Sequence, residues 1–292
     1  MRPILAGIAL ALLAPCSALA QGADSAQGQE IVVSGNRETE EKILRALTAD
    51  VTRRPRVDKP SSRFYGPVCL QIIGVKTEFS DVLADRIKAN ARQVDAPVAK
   101  DDCTPNALVI FTRDARRTVD LLRKEEPWIF TNLLDYEFDR IIAGTEAAHA
   151  WQTTELRSVD GKPLQYQIIN GREVMVNPQY QTGRLAPPLR VDMVGAVVLI
   201  DSAYLPGKTL QQLADYATFR LLASISETSE SGDGADTMAT ILSLFDDTAN
   251  APAELTRFDR AYLRALYNLR PNAPSSAIRD ATVRVYYGGK VD

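Results

Sequence analysis

Apolar positions along the chain change rhythm most sharply between Val197 and Ala223. Val197-Val198-Leu199-Ile200 is an unbroken apolar run of strand length, and the polar stretch from Asp201 to Lys208 breaks it. Thr209 then leads into Leu210 to Ala223, where apolar side chains fall on most sides of a helix. The pattern predicts a buried strand feeding a buried helix.

A second organised unit comes earlier. Val68 to Val75 is apolar, and a helix is predicted from Phe79 to Val94, with Val82, Leu83, Ile87, Ala91 and Val94 along one face and Thr77 as its cap. Ala107 to Phe111 follows as a strand. This β-α-β order calls for two parallel strands joined by a crossover. Before it, Ile43, Leu44 and Leu47 give a short amphipathic helix over Glu38 to Asp50, and the Pro-containing basic stretch from Val51 to Ser62 makes a linker.

After it come helices over Arg116 to Lys124 and Pro127 to Ala143. Trp151 to Arg157 and Leu164 to Ile169 flank Asp160-Gly161 as a hairpin, and Asn170-Gly171 with Val174 to Val176 adds a third strand. Asn177 to Pro188 is a loop, and Ser224 to Asp236 is an exposed polar loop. A helix is predicted over Thr237 to Phe245, a second behind the capping pair Thr256 and Asp259, and a last strand over Thr282 to Tyr287. The fold class is α+β with a central mixed sheet, residues 63–292 forming one domain behind a flexible segment at 21–62.

Met1 to Ala20 has Arg2, an apolar core from Ile4 to Ala14 and Ala18-Leu19-Ala20 before Gln21, the form of a signal peptide cleaved after Ala20. A periplasmic or secreted protein follows. The remaining cysteines, Cys69 and Cys103, are expected to close a disulfide there. No later apolar run is long enough for a transmembrane helix. The full chain carries a formal charge of -3, and loss of Arg2 leaves 33 basic against 37 acidic side chains. No basic tract points to nucleic acid.

The segment Leu255-Thr256-Arg257-Phe258-Asp259-Arg260-Ala261-Tyr262-Leu263-Arg264-Ala265-Leu266-Tyr267 fits the pattern L-[ST]-x-x-D-x-x-x-L-x-x-L-Y. With the order of elements from Pro67 to Arg279, it resembles secreted bacterial proteins of unknown function related to zincin-type metallopeptidases, in which such a segment follows the zinc helix. The resemblance implies that Leu210 to Ala223 occupies the zinc-helix position. A zincin needs histidines at i and i+4 with a glutamate beside the first. Ala214-Asp215-Tyr216-Ala217-Thr218 and the next register hold no histidine, so no metal and no cofactor are expected.

Asp215 is the one catalytic candidate, falling at the glutamate or the first ligand position; the favoured role is a buried carboxylate hydrogen-bonded to a neighbouring helix end or an arginine. Tyr216, Trp151 and His149, the sole histidine, are binding candidates, each also fitting a core or strand-edge position. There is no G-x-S-x-G elbow, no G-x-G-x-x-G and no phosphate loop, and the acidic pairs Asp101-Asp102 and Asp246-Asp247 fit solvated loops. The expected function is a non-catalytic, zincin-like pseudo-peptidase binding a peptide or envelope protein. The alternative is a cell-envelope hydrolase with a site other than the zincin motif.

Overall fold

The structure, a computed structural model, describes residues 37–52, 59–131, 133–143, 146–177, 188–225, 238–246 and 250–291. The leader with its cleavage point, most of the linker and most of the loops at 177–188 and 224–236 lie outside the described residues.

Val197 to Ile200 lies inside β6 (Leu189–Asp201), the strand that carries the sheet. β2 (Ala107–Thr112) runs parallel to it, Ala107 opposite Ala196, and β1 (Leu70–Ile73) runs parallel to β2. β3 (Ala148–Ser158) pairs antiparallel on the other side, so the mixed sheet has the order β1-β2-β6-β3. The α+β class and the β-α-β unit are as the sequence indicates.

β2 and the Ala196 to Ile200 stretch of β6 are apolar on both faces because both faces are covered. Val109, Phe111, Val198 and Ile200 enter the larger core, with Leu83, Ile87, Leu213, Phe219 and Tyr262. These belong to α2 (Thr77–Gln93), α5 (Leu210–Leu222) and α6 (Arg257–Asn268). Leu108, Ile110, Val197 and Leu199 face a smaller cluster with Val119, Ile129 and Ile141, supplied by α3 (Ala115–Glu125), a 3-10 turn (Pro127–Phe130) and α4 (Asp135–Ala143). Cys69, one residue before β1, is bonded to Cys103, with Cα atoms 5.9 Å apart.

Several elements differ from expectation. Thr77 opens α2, and Lys76 precedes it without a side-chain cap. The helix over Pro127 to Ala143 is broken because the Ile129 carbonyl turns outward to accept hydrogen bonds from Trp151 Nε1 (3.0 Å) and Thr153 Oγ1 (2.9 Å). Of the helix expected over Thr237 to Phe245, Thr237 lies outside the described residues and Met238 to Phe245 forms a 3-10 turn over Ile241–Phe245 only.

The hairpin forms at the other turn. β4 (Gln165–Ile169) pairs with β5 (Arg172–Val176) around Asn170 and Gly171, whose φ values of 52° and 72° suit a two-residue hairpin turn. At Asp160-Gly161 only the glycine is left-handed, and Pro163 follows without an N–H, so β3 meets that segment at one bridge, Arg157 to Pro163.

The expected last strand is a helix, α7 (Ala277–Tyr286). α1 (Arg37–Val51) also belongs to the body, since Leu44, Leu47 and Val51 lie in the larger core.

Candidate functional site

α5 begins where Thr209 and Gln212 cap reciprocally: Gln212 N donates to Thr209 Oγ1 (3.1 Å) and Thr209 N to Gln212 Oε1 (3.0 Å). Every residue from Leu213 to Leu222 is buried. A helix sealed on all sides must satisfy its polar side chains internally.

Asp215, with no exposed surface, does so with four donors. Arg86 Nε and Nη2 donate to its two oxygens, each at 2.8 Å. Asn90 Nδ2 donates to Oδ1 at 2.6 Å, and the Leu255 amide to Oδ2 at 2.8 Å. Arg86 Nη2 also reaches Glu254 Oε2 at 3.1 Å, and Glu254 Oε1 accepts from Arg260 at 2.8 Å. The pull of Asp215 outweighs burial and raises the Arg86 pKa. Burial pushes Glu254 up, but the hydrogen bonds from Arg260 and Arg86 prevail and lower it.

An arginine and a neighbouring helix end are the kinds of partner expected from sequence, which names neither Arg86 nor Asn90. Asn90 was the available signal: it lies three residues after Ile87 on the apolar stripe of α2, where a polar side chain calls for a buried partner.

The L-T-x-x-D segment is built the same way. Asp259 caps its own helix by accepting from Thr256 N (2.8 Å), and also from Ile241 N (2.9 Å) and Thr240 Oγ1 (2.6 Å). Burial raises its pKa against the opposing hydrogen bonds. Leu263 and Leu266 are core, and Tyr267 OH donates to Leu222 O at 3.2 Å. Leu255, through its amide, links this segment to Asp215.

The other candidates do not converge on Asp215. Tyr216 is buried edge-to-face on Phe245, ring centroids 5.0 Å apart, with the Arg220 guanidinium 5.9 Å from its ring centroid. Trp151, buried, stacks on Phe130 at 5.5 Å. His149, 3% exposed, lies on the same face of β3 as Trp151, opposite Leu199. Its Nδ1 is 3.5 Å from Glu146 Oε2, and its Nε2 has no hydrogen-bond partner among the described residues. Burial lowers its pKa, Arg140 and Arg220 act in the same direction, and Glu146 opposes them.

β3 is the outer strand of the sheet. Asp201 N donates to Ala147 O at 2.9 Å, and antiparallel alternation from that point turns the backbone groups of Ala148, Ala150 and Gln152 away from β6. Ala148 and Ala150 are half-buried against the larger core, where α5 lies. Gln152 Nε2 donates to Arg220 O (3.0 Å) and Ala223 O (3.4 Å), tying this edge to the end of α5.

No protein-family model, curated protein or solved structure matches the chain significantly. Among the described residues no group of three or more His, Cys, Asp or Glu side chains is arranged to hold a metal ion. Asp101 is exposed and pairs with Lys88 at 3.1 Å; Asp102 and Asp246 are exposed, and Asp247 lies outside the described residues.

Proposed function

We propose that the protein is a periplasmic or secreted binding module, a zincin-like pseudo-peptidase that holds an extended peptide or a segment of an envelope protein along β3 without cleaving it. The observation that carries this reading is the outward-facing backbone of Ala148, Ala150 and Gln152 on the outer strand beside α5. An extended chain adds to such an edge through main-chain hydrogen bonds. The Cys69–Cys103 disulfide supports an oxidising compartment, and no described helix is long and apolar enough to cross a membrane.

Support for a non-catalytic role comes from α5. It lacks histidine, and the Asp215 oxygens are occupied by four donors out of contact with solvent. A cell-envelope hydrolase working through Asp215 is the weaker reading, because no substrate atom has a route to that carboxylate without dismantling the cluster.

The test pairs a peptide screen with Ala150→Pro. Proline is tolerated where an edge N–H faces outward, yet it removes the donor that an added strand would use. Arrayed random decapeptides are expected to yield binders to the purified protein that the folded Ala150→Pro variant loses. Equal binding by both would remove β3 as the docking edge. Stoichiometric zinc in the purified protein would overturn the pseudo-peptidase reading itself.

A further inference from the structure

We propose that His149 is an acid-sensitive latch beneath the outer edge of β3: uptake of a proton at Nε2 expels the imidazole from the buried face of β3 and loosens the strand at Ala148 to Gln152. The regulatory consequence, release of a bound peptide on acidification, rests on β3 being the binding edge. The latch itself does not.

The niche suits a neutral imidazole. The side chain is buried opposite Leu199, on the face of β3 that carries Trp151 into the smaller core. With Nδ1–H turned toward Glu146, Nε2 carries a lone pair and needs no donor as strictly as an N–H would need an acceptor. Protonation creates a buried N–H with no acceptor in reach among the described residues.

The charges that face it sharpen the effect. Arg140 of α4, Glu146 just before β3 and Arg220 of α5 are the charged groups acting on His149. Glu146 Oε1 is already taken by Arg140 Nε (3.1 Å) and Nη2 (2.6 Å). A charged His149 would have to share that carboxylate with Arg140, and Arg140 and Arg220 would both repel it. Its neighbours on the strand, Ala148 and Ala150, are the residues whose backbone faces outward, so the latch and the edge are one stretch of chain.

The sign follows from linkage. The closed state holds His149 below its ordinary value of 6.5, whereas an opened state restores that value. The latch is therefore fully closed above pH ~6.5 and weakens as the pH falls below it.

Hydrogen exchange of the purified full chain, corrected for intrinsic rates, reads this directly. Protection of the amides from Glu146 to Gln152 should fall between pH ~7.5 and ~5, on either side of the ordinary imidazole value. His149→Gln should abolish most of that change; an identical fall in the variant, or no fall in the wild type, overturns the latch. If His149→Gln does not fold, the single histidine gives one assignable imidazole resonance in the wild type. An apparent pKa at or above 6.5 for that resonance also overturns the latch. Exchange that responds as expected while no decapeptide binds at either pH would leave the latch standing and remove the binding edge.

Discussion

Arg86 reaches from α2 and clasps Asp215 of α5 with two parallel bonds, Nε to Oδ1 and Nη2 to Oδ2, both 2.8 Å long. The carboxylate is fully enclosed, whereas the Arg86 side chain keeps 32% of its surface in water. The asymmetry fixes the direction of energy transfer between the two. Arg86 retains Glu254 and solvent if Asp215 is lost, but Asp215 without Arg86 is a buried charge held only by Asn90 and Leu255.

Arg86→Met should therefore be the more damaging change. Stranding a buried charge costs about 3–5 kcal/mol, whereas Asp215→Asn, which exchanges one acceptor oxygen for a donor, should cost about 1–3 kcal/mol. Urea unfolding of both variants measures the order. The reverse order would show that the charge on Asp215 is not what Arg86 is there to satisfy.

Asp259 ties two elements through one carboxylate, and its removal should be felt in both. Thr256→Ala loses an N-cap and should cost about 1 kcal/mol. Asp259→Ala leaves the donors Thr256 N, Ile241 N and Thr240 Oγ1 without their acceptor and should cost at least about 3 kcal/mol, roughly 1 kcal/mol for each. Hydrogen exchange should place the added loss at Ile241 to Phe245. A loss confined to α6 would contradict the link.

Alkaline stability turns on two tyrosines of α6, Tyr262, which is buried, and Tyr267, which is half-buried. Burial pushes Tyr262 up to about 12 against the Thr52 hydrogen bond, and raises Tyr267 as well. Both folded values exceed the ordinary 10.0, so the stability these groups contribute is full below that pH and is lost as the pH rises through the folded values. Tyr262→Phe should be less stable than the wild type at neutral pH, because it gives up the 3.2 Å contact with Thr52 Oγ1. The deficit should shrink as the pH rises from ~8 to ~11, because the variant has no phenol to keep protonated. Tyrosinate absorbance during alkaline denaturation checks it; a constant deficit would refute it.

The main sheet, the buried α5 and the capping of α6 were legible because burial and capping leave local marks: continuous apolar runs, and Thr256 three residues before Asp259. The errors occurred where tertiary contacts chose between local options. Thr282 to Tyr287 is β-branched and aromatic and suggests a strand, yet Ile278, Ala281, Thr282 and Tyr286 fall at helical spacing and are buried. Asp160-Gly161 has a hairpin's composition, but β3 finds a longer partner in β6, from Ala148 opposite Ile200 to Ser158 opposite Leu189. Asp215 could be named from sequence as either catalytic or structural. Its partners on α2 and at Leu255 lie 125, 129 and 40 residues away, and no local pattern encodes those distances.

The disulfide frames the same cluster. Cys69 and Cys103 enclose a stretch with a sequence separation of 34 that contains all of α2, and α2 delivers Arg86 and Asn90 to Asp215. Cross-linking a loop of that length should stabilise by roughly 3–4 kcal/mol through the unfolded chain. The native position of Cys69 has its own supports: its amide donates to Asn106 Oδ1 at 2.8 Å, and its carbonyl accepts from Ala107 N at 3.0 Å. Cys69→Ser/Cys103→Ser should therefore keep the wild-type near-ultraviolet circular dichroism in the cold while its urea midpoint falls. A double variant that loses that spectrum without denaturant would show that the bond shapes the native state as well. Thiol titration of the unreduced, denatured protein lacking residues 1–20 should find no free thiol, and one or two would overturn the pairing.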